Sequence, residues 1–586
     1  MWPSAGMQKK QWIIQTPHDC SAQLAKSLKI SPLLAQVLIN RGITDTNSGS
    51  TFLRPKLTTL IPPEQMPGIQ NAVKRVADAV KNKQKITLYG DYDVDGITGV
   101  ATLWQILTML DANVDYYIPH RIDEGYGLNE DAVRALAKKD CDLLITVDCG
   151  ITAFDSAKLA AKLGLELIIT DHHQPDKKLP EALAIVHPAL DDAYQNQDSS
   201  GAMVAYKLAW AIANHFSKGP KLQPELRQFM INATTLAAIG TIADIMDLRG
   251  ENRVLTSYGL KSLPECKMPG IQALIDSAGL SAATGLDSYH IGFRIAPMIN
   301  AAGRMGHARL AVELLTSSST IRAAQIAQYL KEQNNLRRQY ERKISKNACE
   351  IILQKNLNHP DQKTIVLASD DWHTGVIGIV ASRIVDRFHR PTVLINTPKE
   401  QNENQFAQGS ARSIPGFCLL SAIKACAKHL NSFGGHKMAA GITIHPENIE
   451  IFAENFEKYA NKNLNHDDIV HKLQIDAPAK LAQLSTKAVE ELQMLEPFGQ
   501  GNPKPLFATK GVRLSAPPRK VGTKGEHLQI AVTDNTNSIR CIGFGMGKLE
   551  KKLLDNEFFN VAYRPNIDTY NGNRNVQLVL EDIQFE

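Results

Sequence analysis

Hydrophobic and polar positions along this chain follow two rhythms. From Lys85 to about Ile245, short apolar runs of strand length alternate with longer segments spaced like amphipathic helices. The runs predict strands over Ile86–Tyr89, Val114–Ile118, Leu143–Val147, Leu167–Thr170 and Ala184–His187. Between them fall predicted helices such as Asn129–Lys139 and Ala153–Leu163, and two more follow over Met203–Phe216 and Phe229–Ile239. Strands alternating with helices in this way build βαβ units, and hence a parallel sheet.

The segment Thr320–Gln354 has few breakers and many helix formers, which predicts one long connecting helix. A second α/β pattern follows it, with strands over Ile365–Ala368 and Thr392–Ile395 and a helix starting at Gly375. From about Leu473 to Glu586 the runs are short and broken by turn residues, as at Leu528–Val532, Arg540–Phe544 and Val576–Leu580. That rhythm predicts a small β-barrel or sandwich. Ahead of all this, residues 1 to about 80 carry helical patches (Ala22–Ile39) and a Pro-containing segment, Ile61–Pro67. They show no chemistry and read as an appendage packed on the next domain.

Composition narrows the picture only a little. A chain of 586 residues is too long for one core and suggests three or four domains. No apolar stretch approaches the ~20 residues that span a membrane. The N-terminus has no apolar signal core, so a cytoplasmic protein is expected. The eight cysteines form no Cys-x-x-Cys pair, which argues against zinc ribbons and a disulfide framework, and Cys149 reads as a small buried filler. A net charge of +5 permits a polyanionic partner without demanding one. Local clusters must carry that argument. The centre of the long helix, Lys331–Lys346, is basic; it is either a solvated face or a stripe tracking a phosphate backbone.

The candidate chemistry lies at the ends of the predicted strands. Ile86–Tyr89 closes at Gly90 and is followed by three alternating aspartates, Asp91, Asp93 and Asp95. Carboxylates this close repel one another unless cations lie between them. Leu143–Val147 ends at Asp148, Leu167–Thr170 ends at Asp171-His172-His173, and the helix near Phe229–Ile239 is followed by Asp244. Strand ends of a parallel sheet converge on one edge, so Asp93, Asp95, Asp148, His172 and Asp244 can share a pocket. Singly, each has a bland explanation as a turn or a satisfied polar group. Five together do not. Carboxylates with imidazole and no thiolate suit two ions of Mn²⁺ or Mg²⁺, and two such ions suit phosphoester hydrolysis.

Asp91-Tyr-Asp-Val-Asp-Gly96, Val147-Asp-Cys-Gly150, Asp171-His-His173 and Gly240-Thr-Ile-Ala-Asp244 resemble the successive motifs of the DHH phosphoesterase superfamily. Asn300-Ala-Ala-Gly-Arg304 and Gly434-Gly-His-Lys-Met-Ala-Ala-Gly441 narrow the resemblance to its RecJ family, single-strand-specific 5′→3′ DNA exonucleases, over nearly the whole chain. The resemblance implies a multidomain α/β protein: a leader over 1–80 packed on the catalytic domain, a DHH domain over 81–318, the long helix over 319–358, a DHH-associated domain over 359–460, and an oligonucleotide-binding (OB) barrel over 465–586. It implies one metal on Asp95, Asp148, His172 and Asp244, and a second on Asp93 and the shared Asp148. Asp91 is either a further ligand or a loop-structuring group. His173 would stabilise the scissile phosphate or act as an acid, with Asp171 orienting an imidazole. Arg304 would contact a phosphate near the metals. Arg121, Ser410 and Arg412 would hold a 5′-terminal phosphate, Tyr126 would stack on a base, and His436 is either a nucleotide contact or part of a tight turn. Arg519, Lys520 and Lys524 are charge-based candidates for strand contacts. The implied partners are single-stranded DNA, a single-strand-binding protein and a RecQ-like helicase, with the enzyme a monomer serving repair and recombination. Two rivals stay open: a DHH phosphodiesterase for short oligonucleotides or cyclic dinucleotides, and an inactive DHH replication scaffold.

Overall fold

The apolar runs after Lys85 form five parallel strands: β1 (Lys85–Gly90), β2 (Asn113–Tyr117), β3 (Leu143–Val147), β4 (Glu166–Thr170) and β5 (Ala184–Val186). Their order in the sheet is β2-β1-β3-β4-β5. Every residue of β3 is buried, as expected of a strand covered on both faces. Helices α1 (Val94–Met109), α2 (Gly201–Phe216) and α3 (Pro224–Ala243) are buried along most of their length and pack on one another. Two further helices, α4 (Gly250–Ser262) and α5 (Ala296–Arg304), complete this core. The computed structural model describes residues 10–120, 124–217, 219, 221–281, 285–304, 306–399, 405–568 and 574–585.

Register sets the edge that matters. Gly90 lies opposite Val147, Val147 opposite Thr170, and Thr170 opposite Val186. The residues that follow, Asp91, Asp148, Asp171 and His187, therefore leave the sheet at one level. The chain reverses its direction of strand addition between β1 and β3, which are neighbours. That reversal opens a crevice beyond the carboxyl ends of the strands.

The chain forms two compact units. One comprises Ile14–Glu332 with Ile475–Glu586; the other comprises Gln333–Gln474 with the described residues up to Ile13. The long helix α6 (Thr320–Gln354) runs from the first into the second. Its beginning buries Ala323, Ile326, Ala327 and Leu330 in the core of the first unit, and its end buries Ile344, Ala348, Cys349 and Ile352 in a core of the second.

In the second unit β6 (Ile365–Ser369), helix α7 (Thr374–Phe388) and β7 (Thr392–Asn396) form a parallel βαβ unit. The sheet is extended antiparallel by β8 (Ala407–Arg412), β10 (Ala439–Ile444) and β9 (Ser432–Gly435). At the C-terminus, β11 (Phe507–Val521), β12 (His527–Thr533), β13 (Ser538–Gly543), β14 (Phe559–Asp568) and β15 (Asn575–Phe585) pair in the order β11-β12-β13-β15-β14. Pairing of β14 with β11 closes the barrel.

The leader departs from the expectation that it packs on the catalytic domain. Leu24, Leu33, Leu34, Val37, Leu38, Phe52 and Leu53 share a core with barrel residues such as Phe507, Leu528 and Tyr563. The later part, from Leu57 through the helix Ile69–Lys81, joins the core of the parallel-sheet domain. Helical periodicity reveals an apolar face but not the partner that will cover it.

One buried arginine ties these pieces together. Arg253 of α4 is 1% exposed. Its guanidinium donates to the carbonyls of Phe52 (2.9 Å), Leu495 (2.8 Å), Met494 (3.1 Å) and Glu496 (2.7 Å), and lies 3.9 Å over the Phe52 ring. One side chain thus joins the parallel-sheet domain, the leader and the segment entering the barrel. Arg253→Met would remove these four donated bonds, leaving the Leu495 carbonyl only the Asn502 amide at 2.7 Å, and should cost about 3 kcal/mol. Chemical denaturation should show a lowered midpoint, with Arg253→Lys recovering only part of the loss because ammonium lacks the planar fork.

Candidate metal centre

The loop after β1 is shaped by a helix start. Asp93 is the N-cap of α1, its Oδ1 accepting from the backbone N–H groups of Asp95 (2.9 Å) and Gly96 (3.2 Å). Position 96 must be glycine, because a Cβ there would lie 2.6 Å from the Asp91 carbonyl oxygen. Asp95, 1% exposed, accepts from the first N–H groups of α2: Gly201 at 2.6 Å and Ala202 at 3.0 Å. The positive end of that helix favours a carboxylate. Asp148 leaves β3 with a left-handed φ of 64° and is 2% exposed. Asp244 caps the end of α3.

The two histidines after β4 are positioned differently. The ring of His172 has its Nε2 3.1 Å from Asp148 Oδ1, 3.5 Å from Asp244 Oδ2 and 3.7 Å from Asp95 Oδ2. Burial holds its pKa down to about 4, so the ring is neutral and offers a lone pair. His172 Nε2 and Asp148 Oδ1 are both buried without a hydrogen-bond partner. His173 instead turns to Asp171, whose Oδ1 lies 2.8 Å from its Nδ1. Burial opposes the charge on His173, but the Asp171 carboxylate outweighs it and raises the pKa to about 9. Asp171 also accepts from the backbone N–H groups of Ile151, His172 and His173. Burial would raise its pKa, yet the hydrogen bond and charge of the His173 ring, helped by the backbone N–H groups of Ile151 and His173, hold it below the usual carboxylate range.

Asp95, Asp148 and Asp244 titrate in the opposite direction. Burial first, and the neighbouring carboxylates second, push all three upward. Such a cluster is relieved by cations. Among the described residues, three sets bring their ligand atoms within 4.8 Å of one another: Asp95 with His172 and Asp244, Asp91 with Asp93 and Asp148, and Asp148 with His172 and His173. Oxygen and imidazole donors with no thiolate suit Mn²⁺ or Mg²⁺, and the two orphaned atoms facing each other fit the same conclusion. Cys149 is fully buried and its thiol is pushed up by burial, which leaves it a packing residue.

Other candidates fall as follows. Tyr126 is half-exposed while its hydroxyl reaches the centre, 3.1 Å from His173 Nδ1, and burial raises its pKa. Arg121 lies outside the described residues. Arg304 ends α5, and a Cβ on the adjacent Gly303 would lie 2.7 Å from the Tyr92 carbonyl oxygen, so this helix end abuts the aspartate loop. Ser410 and Arg412 belong to the second unit and point from the same face of β8, with Arg412 Nη1 3.2 Å from Ser410 Oγ. His436 is exposed at the tip of the β9–β10 hairpin, its N–H donating to the Ala439 carbonyl at 2.8 Å. The glycines there form a hairpin: a Cβ on Gly435 would lie 2.5 Å from that same carbonyl oxygen.

The basic stretch of α6 is partly committed to internal pairs. Arg337 pairs with the buried Glu341 at 3.2 Å, and Arg383 of α7 pairs with the same carboxylate. Arg338, Arg342, Lys343 and Lys346 stay exposed. In the barrel, Lys520 is paired with Glu550 at 2.8 Å, while Arg519 and Lys524 are exposed.

Residues missed in the sequence are those that support the ligands. His187 is fully buried, with Nε2 2.8 Å from the His173 carbonyl. Gly201 and Ala202 act only through backbone N–H groups, and the Ser199-Ser200-Gly201 helix-start pattern was their one visible signal.

A five-stranded parallel sheet with a carboxylate-imidazole cluster at its switch point defines a metal-dependent phosphoesterase of the DHH class. Family models match in the same order as the folded parts: the DHH family N-terminal domain over residues 85–241, the DHHA1 domain over 361–462 and the RecJ OB domain over 475–582. The chain is 36% identical over 576 residues to the single-stranded-DNA-specific exonuclease RecJ of Bacillus subtilis, covering 98% of this chain and 71% of that protein. It is 31% identical to the Haemophilus influenzae RecJ, covering 96% and 97%. The crystal structure of Thermus thermophilus RecJ with Mn²⁺ superposes with a TM-score of 0.82 at 29% identity, covering 99% of this chain and 80% of that one. Its Mg²⁺ complex gives 0.76 at 28% identity, covering 99% and 78%. The chain belongs to the RecJ family.

Two glycines allow the centre to close. A Cβ on Gly201 would lie 2.5 Å from Asp148 Oδ1, and one on Gly240 would lie 2.6 Å from Asp95 Oδ1. Gly201→Ala and Gly240→Ala should therefore keep the circular dichroism of the native fold while weakening Mn²⁺ binding by about 10- to 100-fold in titration calorimetry. Unchanged affinity in both would remove Asp95 and Asp148 from the centre.

Proposed function

We propose that this chain is a single-strand-specific DNA exonuclease that proceeds 5′→3′ and releases 5′-mononucleotides, using two Mn²⁺ or Mg²⁺ ions. The observation that carries the reading is the position of Asp148. It belongs to the Asp91–Asp93 set and also lies 3.1 Å from His172, which joins Asp95 and Asp244. One carboxylate between two ligand sets is the arrangement a two-ion phosphodiesterase needs. Asp95, Asp148, His172 and Asp244 would hold one ion; Asp93 and Asp148 would hold the other, with Asp91 beside them. When bound, the ions supply Lewis acidity to the phosphoryl group and lower the pKa of the attacking water.

The remaining residues orient the strand. His173, held charged by Asp171, donates to a phosphate oxygen at the mouth of the centre. Tyr126 is fixed at its hydroxyl and offers its exposed ring to a base. Arg304 contacts a phosphate beside the aspartate loop. Ser410 and Arg412 suit a 5′-terminal phosphate, which carries more charge than an internal one, and Arg121 shares that task. His436, exposed at its hairpin tip, contacts a nucleotide.

The wider setting follows from the family resemblance: a monomer in the cytoplasm, serving DNA repair and recombination beside a single-strand-binding protein and a RecQ-like helicase. No helix among the described residues is long and apolar enough to cross a membrane.

End-labelled digestion tests the reading. A label at the 5′ end should appear first as mononucleotide, a 3′ label should pass through a descending ladder, and duplex should resist, all requiring Mn²⁺ or Mg²⁺. Hydrolysis confined to dinucleotides would overturn it. Asp148→Ala should abolish cleavage while single-strand binding survives. Arg412→Ala should raise KM for 5′-phosphorylated strands by about 10- to 150-fold, the worth of hydrogen bonds to a charged group, and should change KM for 5′-hydroxyl strands far less.

A further inference from the structure

The helix that ends at Arg304 begins at an exposed pair of aromatic rings. Ser288–His290, the wide turn Ile291–Ile295 and α5 form one continuous helical run. Its inner side is closed: Ile291, Ile295, Ala296, Met298, Ile299, Ala301 and Ala302 are all buried. Its outer side carries Tyr289, Phe293, Pro297, Asn300 and Arg304, none of which is buried. They recur at the spacing of a single helix face. Tyr289 is 60% exposed and Phe293 69% exposed. The two rings stack on each other, with centroids 4.7 Å apart and planes 29° from parallel.

Two large aromatic side chains this exposed, and locked together, are costly unless something covers them. Their place on the helix says what that is. The far end of the same stripe abuts the aspartate loop through Gly303, about 16 Å away for eleven residues of helix, a span of several nucleotides. The near end borders the barrel segment, since Ser288 donates through Oγ to the Phe498 carbonyl. The wide turn that presents Phe293 is a π-type insertion, a distortion found mostly at functional positions.

We propose that Tyr289 and Phe293 form a base-stacking platform for single-stranded DNA on the 3′ side of the scissile bond, several nucleotides from the metal centre. This rests on the exonuclease reading and adds a substrate subsite to it. Stacked rings present a flat face that accepts any unpaired base, and such contacts contribute about 1–3 kcal/mol per base. A strand lying along the outer side of the helix has its phosphates at Asn300 and Arg304 and its downstream bases at the ring pair. A protein ligand would find an aromatic pair there too, but nothing would then require the pair to share a face with Arg304.

The test uses the full chain without divalent cation, so that binding is read without cleavage. Affinities of a trinucleotide and of a 5′-phosphorylated strand of about 20 nucleotides are compared for wild type and Tyr289→Ala/Phe293→Ala. Wild type should favour the long strand, and the double variant should lose about 5- to 150-fold of that preference. Tyr289→Phe/Phe293→Tyr, which keeps both rings, should retain it. A strand made abasic only at the downstream positions should bind wild type more weakly and the double variant no differently. A long-strand preference unchanged in the double variant overturns the platform, as does an equal effect of the abasic strand on both proteins. If wild type with Mn²⁺ leaves single-stranded DNA intact, the exonuclease reading itself has failed. That outcome is distinct from loss of the platform.

Discussion

Everything in the catalytic unit answers to one electrostatic constraint: several carboxylates must be held together, away from water, at the switch point of a parallel sheet. Asp95, Asp148 and Asp244 are each pushed upward by burial and by one another. Left to themselves they would take up protons or separate. The fold prevents separation by covalent and hydrogen-bonded means. Asp148 is fixed by a left-handed backbone turn, Asp93 by capping α1, and Asp95 by two N–H groups of α2. Charge neutralisation is left to cations.

The same constraint explains the close packing around the centre. Helix α2 approaches Asp148 at Gly201, and α3 approaches Asp95 at Gly240, with no room for a Cβ at either point. The histidines divide the work by environment. His172 is neutral because it is buried among the ligands, while His173 is charged because Asp171 is. Two adjacent imidazoles thus offer a lone pair and a proton donor at the same pH.

Much of this was legible in the sequence because strand ends in parallel sheets obey a simple rule. Apolar runs closing at Gly90, Val147 and Thr170 place Asp91, Asp148 and Asp171 on one edge, and the long helix is visible from its lack of breakers. Residues that act through the backbone or across the chain were barely legible. Gly201 and Ala202 contribute N–H groups that any residue type carries. His187 supports His173 from a position that reads as an ordinary strand end. Arg253, in a helix with no motif, binds carbonyls contributed by residues 52 and 494–496, and no local pattern encodes such a distant partner. The first helices of the leader are a similar case. Its helices were predictable from periodicity, but their attachment to the barrel depends on which apolar surface is left uncovered elsewhere.

The groups proposed to hold the strand would also account for selectivity without a sequence code. Arginine and serine on phosphates position a backbone but carry no base information, and aromatic rings accept every base by its face. A duplex keeps those faces stacked on neighbouring pairs, so Tyr126, Tyr289 and Phe293 could engage them only after unstacking. Strand selectivity then needs no narrow passage as its sole source. On the proposed roles, ring contacts would reward only bases that are already free, Tyr126 beside the metal centre and Tyr289 and Phe293 along the helical run that ends at Arg304.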